Sequence, residues 1–334
     1  SGCINERKFM KSRAERVLIV GAGAVGQVYG YHLQRGGAEV TFLVKPTHLA
    51  GLRQPLPLYP LNSGVGHPRP VFFENFNLCS DMTAIEPGTF DQFWLCVSST
   101  ALRTGWLPVF AERLGEGTLV SLVPGLEDRA LLLEYVPAAQ LITGLINLIG
   151  YQTPLPCEST DPPGVAFWFP PFGATPLSGP VGRRDAVISS LRAGGQPARA
   201  HPDVGAISGF PTAVLMPFLL GLEASQWSFN RLLGGQIAHL SVSGVKEALA
   251  IVAAYQERAV PFWGALVCPS SVRALLVLAP KVLPMPLEAY LAYHFTKLGD
   301  QTRFFVERYI RLGQDFSLPT DALLALRALV RHDA

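Results

Sequence analysis

Four apolar residues, Val17-Leu18-Ile19-Val20, run without a break into Gly21-Ala22-Gly23-Ala24-Val25-Gly26. A short continuous apolar run that ends in glycine predicts a strand covered on both faces, as in a parallel sheet. Residues 25–34 then have helical composition and spacing, and they stop at Arg35-Gly36-Gly37, a helix-ending sequence. Glu39-Val40-Thr41-Phe42-Leu43-Val44 predicts a second strand and completes a βαβ unit. After a proline-rich connection over residues 54–70, strands are predicted at 71–73, 93–97, 118–123 and 141–144. Helices fall between them at 100–114 and 128–135. This alternation predicts an α/β fold with a doubly wound parallel sheet. Glycines and prolines over residues 154–182 suggest an irregular β segment that closes the domain.

From about Asp203 the pattern changes to helical periodicity alone. Helices are predicted over residues 210–233, 241–259, 287–313 and 320–330, with a kink at Pro217. Thr320 and Asp321 are placed to cap the last one. The change of character falls in Arg192-Ala193-Gly194-Gly195-Gln196-Pro197. Three segments follow: a polar extension over 1–15, expected to be disordered, with Met10 a possible natural start; an N-terminal dinucleotide-binding domain over 16–195; and an all-helical substrate or dimerisation domain over 196–334.

The glycines have separate physical tasks in a Rossmann-type turn. Gly21 makes the turn, Gly23 lets the backbone approach a pyrophosphate, and Gly26 lets the helix pack on the strand. The helix N-terminus, with free N–H groups and a positive dipole end, suits the phosphates. The second strand ends at Lys45, 24 residues after Gly21, near the point where NAD enzymes carry an acid for the ribose hydroxyls. A cation there suits the 2′-phosphate of NADP; the alternative is a solvated lysine at a strand end. A methyltransferase also uses a glycine turn after its first strand, but it usually offers an acid where Lys45 stands.

Composition narrows the picture. Hydrophobic residues make up 49% of the 334 and charged residues 16%, which predicts large cores, an apolar ligand pocket or an apolar subunit interface, so a homodimer is possible. The apolar run over residues 213–222 is interrupted by Pro217 and stops at Glu223, and residues 274–292 carry Lys281, Glu288 and three prolines. Neither supplies the ~20 uninterrupted apolar residues of a membrane span, so no membrane partner is expected. With a net charge of +2 and no basic cluster, nucleic acid is not an expected partner either. Cys3, Cys79, Cys96, Cys157 and Cys268 are odd in number and scattered, which fits reduced thiols in the cytoplasm and no metal site.

From Val17 onward the chain resembles the ketopantoate reductase family. The resemblance is carried by Gly21-Ala22-Gly23-Ala24-Val25-Gly26-Gln27-Val28-Tyr29-Gly30, by the strand ending at Lys45, and by Arg311-Leu312-Gly313 with Leu318-Pro319-Thr320. It implies a Rossmann domain followed by a helical one, NADP(H) as cofactor, and contacts to it from residues 21–26, Lys45, Val97, Ser98, Pro124 and Gly125. The family's polar anchors do not carry over. Its lysine after the strand at 93–97 falls on Ser98, and its asparagine-glycine turn falls on Pro124-Gly125. Its catalytic lysine falls at or near Pro211, the two following asparagines near Leu215 and Leu219, and its substrate-binding glutamate on Gln301. No lysine occurs anywhere from Arg183 to Val245.

Ketone reduction needs a hydride and a proton for the developing alkoxide, and proline or leucine donates none. The candidates for proton donation are Glu223, which could also be a helix end reaching solvent, and Asp300, which could also be a helix cap. Gln301 and Ser98 are candidate substrate contacts; Ser98 could equally cap a helix. His294, following Tyr290 and Tyr293, reads more simply as packed core. The expected activity is NADP(H)-dependent reduction of a C=O or C=N group in a neutral or hydrophobic small molecule other than ketopantoate. The alternatives are a cofactor-binding protein without catalysis and a methyltransferase.

Overall fold

The computed structural model describes residues 13–52, 54–62, 69–123 and 125–330. The strands, in chain order, are β1 (Arg16–Val20), β2 (Glu39–Leu43), β3 (Leu56–Pro60), β4 (Val71–Phe73), β5 (Asn77–Cys79), β6 (Gln92–Leu95), β7 (Thr118–Ser121), β8 (Leu141–Gly144), β9 (Ile149–Thr153), β10 (Gly164–Trp168), β11 (Thr175–Ser178) and β12 (Ala198–Ala200). Among the described residues, eight form one sheet in the order β12-β11-β8-β7-β6-β1-β2-β5. All its pairings are parallel except β11 with β8. The reversal of direction between β1-β2 and β6-β7 puts a crevice at the carboxyl end of β1, where open α/β sheets bind ligands.

The helices beside this sheet are α1 (Ala24–Arg35), α2 (Ser99–Leu102), α3 (Leu107–Leu114), α4 (Asp128–Leu133) and α5 (Val181–Ala193). Because β1 is covered on both sides, its residues divide between two cores. Val17 and Ile19 pack with α1 and α5, while Leu18 and Val20 pack with α3 and α4. This is why the run shows no polar alternation. The irregular segment instead builds a second, four-stranded sheet in the order β4-β3-β10-β9. It includes β3, inside the stretch expected to be a proline-rich connection. β12 pairs with β11, so the main sheet continues past the expected boundary at residue 195 to Ala200.

Residues 13–15, placed in the expected disordered extension, are tied to this domain. Arg13 pairs with Asp91 at 2.6 Å, and the Glu15 carboxylate accepts from Gln92 and Ser190 at 2.6 and 2.7 Å. Met10 lies outside the described residues.

The second region is helical: α6 (Gly205–Ala224), α7 (Phe229–Leu233), α8 (Ile237–Tyr255), α9 (Pro269–Val282), α10 (Leu287–Lys297), α11 (Gly299–Asp315) and α12 (Asp321–Leu329). Two long helices expected from periodicity are each divided. Residues 210–233 break after Ala224, where Gln226 and Trp227 take positive φ, and residues 287–313 break at Leu298. At the start of α12 the cap comes from another element. The Glu247 carboxylate accepts from the amides of Ala322 and Leu323 at 3.0 and 2.9 Å, and no side chain of Thr320 does so.

α6 continues through Pro211 and Pro217 and, with α8, is long and apolar enough to cross a membrane, as is the bent pair α9–α10 taken as one segment. The expectation that proline would shorten the apolar run is thus corrected, because packing holds the helix through both prolines. In α6 and α8, 56% of the apolar window is buried inside the fold, largely where these two helices pack on each other, α11 and α12.

Candidate active site

The glycine turn after β1 has the geometry a dinucleotide requires. Gly21 has φ +96°, and a Cβ there would lie 2.7 Å from the carbonyl oxygen of Cys96. A Cβ on Gly26 would lie 2.1 Å from the carbonyl oxygen of Gly21, so only glycine lets α1 start this close to the strand. Gly23 is different: a Cβ there would meet nothing within 4 Å. The space beside it is open, and Gly23 is the N-cap of α1, whose first turn has no side-chain cap and no acid. Its backbone therefore offers positive dipole and room to an anion. The residues present fit a dinucleotide pyrophosphate.

Ala22, Ala24 and Val25 complete the turn and pack partly buried on the core. Lys45 is exposed just past β2 and forms no ion pair among the described residues. Cys96 closes the floor of the turn; burial pushes its thiol up to about 12, so it stays protonated and is no nucleophile.

Two further loops reach this crevice. Val97 packs against Gly21. Ser98 caps α2, its Oγ accepting from the Ala101 amide at 3.2 Å and lying 2.9 Å from the Thr100 hydroxyl. The neighbouring Ser99 is fully buried and donates to Asp128 Oδ2 at 2.5 Å. Asp128, 1% exposed, also accepts from the Gly125 amide at 2.7 Å and from Arg103 Nη1 at 2.6 Å. A Cβ on Gly125 would run into this carboxylate. Pro124 lies outside the described residues.

The helical region approaches the same loops through one face of α11. The Arg103 guanidinium lies 4.8 Å from the ring centroid of Phe304, and Arg308 pairs with Glu127. Gln301, Phe304 and Arg308 share a face because they are three and seven residues apart. Gln301 is thus turned toward the loops after β6 and β7.

Asp300, Arg303 and Glu307 occupy the adjacent face. Arg303 donates to Glu223 Oε1 at 2.5 Å, and Glu307 accepts from Arg327 at 3.0 Å. Glu223 therefore stands at the far end of α6, bound to Arg303, and Asp300 is exposed at the start of α11. Ser98 stands in the loop after β6, Gln301 is half-buried near the start of α11, Asp300 is exposed beside it, and Glu223 is paired with Arg303. His294 is wedged against Tyr290 and Phe295; burial, and then the nearby Lys297 charge, lower its pKa to about 4, so it is a neutral packed ring.

Along α6, Pro211, Leu215 and Leu219 line a half-open apolar cavity of about 550 Å³, flanked by α7, α9, α10 and Trp263. α9, Trp263 and the Ser99–Asp128–Arg103 cluster were not legible as site features. Their polar or apolar character is visible in the sequence, but their partners lie tens of residues away.

A mostly parallel sheet with a glycine cradle at its carboxyl edge, followed by a helical region, defines a Rossmann-type α/β fold. Residues 17–158 match the family model of ketopantoate reductase PanE/ApbA. The fold is similar to that of several solved structures. A PanE/ApbA family ketopantoate reductase from Ralstonia eutropha JMP134 has 19% identity and a TM-score of 0.71, with 95% of this chain and 97% of that chain covered. The 2-dehydropantoate 2-reductase of Geobacter metallireducens GS-15 has 18% identity and a TM-score of 0.68, covering 96% and 100%. D-mandelate dehydrogenase, solved with NADH and anilino(oxo)acetate, has 14% identity and a TM-score of 0.68, covering 94% and 96%. No curated protein matches this chain in sequence.

Proposed function

We propose that the protein is an NADPH-dependent reductase of a C=O or C=N group in an uncharged, largely apolar small molecule. The observation that carries this reading is the pairing of an open phosphate cradle at Gly23 with an α6 face of Pro211, Leu215 and Leu219. That face brings no cation, so a substrate carboxylate finds no partner on it. The likeness to D-mandelate dehydrogenase with bound NADH supports a nicotinamide cofactor, and Lys45 favours the 2′-phosphorylated form.

The backbone around Gly21–Gly26 would hold the pyrophosphate, and Lys45 the 2′-phosphate. When bound, the nicotinamide supplies the hydride. Gln301 presents a neutral amide that can donate a hydrogen bond to the acceptor atom of the substrate. Glu223 is committed to Arg303, so an iminium-like acceptor, already electrophilic, suits this site better than an unactivated ketone.

Fluorescence titration with NADPH, NADH and S-adenosylmethionine tests the cofactor; tight binding of S-adenosylmethionine alone would sink the reading. Oxidation of NADPH at 340 nm across a panel of apolar aldehydes, ketones and cyclic imines tests the activity. A second reading, a cofactor-binding protein without turnover, is favoured by the absence of any lysine from Arg183 to Val245. It predicts NADPH binding with no oxidation of it by any of the panel.

A further inference from the structure

We propose that the cavity beneath α6 is a binding channel for a long unbranched hydrocarbon chain, the tail of the reductase's substrate. The inference rests on the proposed reading only in taking the Pro211 face of α6 as the substrate side.

The cavity is a half-open groove between four helices of the helical region, with Leu275 and Leu215 of its lining exposed. α6 contributes Leu215 and Leu219, α7 contributes Leu232, α9 contributes Leu276 and Ala279, and α10 contributes Leu291. Its lining residues are apolar throughout. A ligand that fills it therefore gains only by removing hydrocarbon from water and by dispersion. A polar molecule would lose hydrogen bonds there with no replacement.

The cavity is also elongated. Its lining on α6 runs from Pro211 to Leu222, roughly 16 Å along the helix axis at 1.5 Å per residue. A second cavity of about 600 Å³ shares Pro211 and Trp263 with it and continues to Ala206, at the start of α6 beside Leu145. Leu145 follows β8, at the carboxyl edge of the main sheet, so the second cavity lies toward that edge. Together the two lie along roughly 24 Å of α6, a length that suits an extended chain better than a compact ring. Arg258, the charged residue of the second cavity, is half-exposed and lies 3.6 Å from the Asp203 carboxylate. It marks the wet end of the channel.

The test uses the full chain without cofactor. A polyene fatty acid, cis-parinaric acid, is titrated in and then displaced by 1-hexanol, 1-octanol, 1-decanol and 1-dodecanol. The channel predicts one site per chain and an affinity that rises up to about fourfold per methylene, equivalent to about 0.8 kcal/mol, until the channel is full. Ala279→Trp fills the cavity from α9 and should weaken 1-dodecanol at least tenfold while sparing 1-hexanol. Leu215→Gln, at a partly exposed wall position, should weaken every long alcohol several-fold. Unchanged thermal melting and NADPH titration show that both variants fold.

No dependence on chain length, or full affinity in both variants, would overturn the proposal. So would loss of probe binding in Phe262→Ser with Leu278→Ser but not in Ala279→Trp, because those two residues lie on the exposed apolar surface outside the channel. Alcohol binding without NADPH binding would leave the channel standing and remove the reductase reading; NADPH oxidation by short carbonyls without chain binding would do the reverse.

Discussion

The hydroxyl of Ser99 donates to the buried carboxylate of Asp128 at 2.5 Å, and this bond joins the two loops that leave β6 and β7 at the ligand edge of the sheet. The same carboxylate takes the Gly125 amide and the Arg103 guanidinium. Arg103 in turn stacks on Phe304 of α11, so this carboxylate, together with the Glu127–Arg308 pair, links the crevice loops to the helical region.

Asp128→Ala should therefore destabilise the fold by about 3 kcal/mol, since it orphans a buried hydroxyl and an amide and leaves a guanidinium unpaired. Ser99→Ala should cost about 1 kcal/mol. Urea unfolding measures both. Equal small losses for the two would show that the network is not a shared support.

The glycine turn separates a folding role from a binding role. Gly26→Ala puts a methyl group 2.1 Å from the Gly21 carbonyl oxygen, so α1 must move and stability should fall by about 1–3 kcal/mol. Gly23→Ala adds a Cβ that meets no protein atom within 4 Å. It should melt close to the parent while NADPH affinity falls more than about tenfold, because the new side chain occupies the phosphate space. Thermal melting and NADPH fluorescence read the two effects separately.

Lys45 is exposed beside the crevice, and its substitution changes charge without touching the core. Lys45→Asp should reverse the preference between NADPH and NADH, with a loss for NADPH of about tenfold or more from the missing ion pair and the added repulsion. Dissociation constants for both cofactors check it; an unchanged ratio would remove Lys45 from the site.

His294 gives the fold a pH dependence. Its pKa is about 4 in the packed structure against about 6.5 in the unfolded chain, so the unfolded state takes up the proton first. The contribution of the neutral ring is intact above about pH 6.5 and is lost as pH falls toward 4. The urea midpoint should drop across that window, and His294→Phe should flatten part of the slope. A parallel slope in the variant would mean that other groups carry it.

Legibility followed the range of the interactions. The βαβ start, the parallel sheet and the helical second half were readable because strand run, glycine turn and helix spacing are set by neighbours in sequence. The second sheet was missed because β3 and β10 pair across about a hundred residues and β3 contains prolines, which usually mark a connection. The division of residues 287–313 at Leu298 was missed because both halves keep helical periodicity. At the candidate site, the sequence did not show that Glu223 pairs with Arg303, because the two lie 80 residues apart on different helices.

The sequence by itself determined that a tight glycine turn follows a buried strand, that a lysine ends the next strand, and that no ammonium group is available from residue 183 to 245. Those properties depend on residue type and close spacing. Only the tertiary structure decided that Asp128 is buried beneath two loops, that Arg303 occupies Glu223, and that α6, α7, α9 and α10 line one apolar groove. Each of those depends on which surfaces meet, and hydrophobic periodicity names the face of a helix that must be covered without naming what covers it.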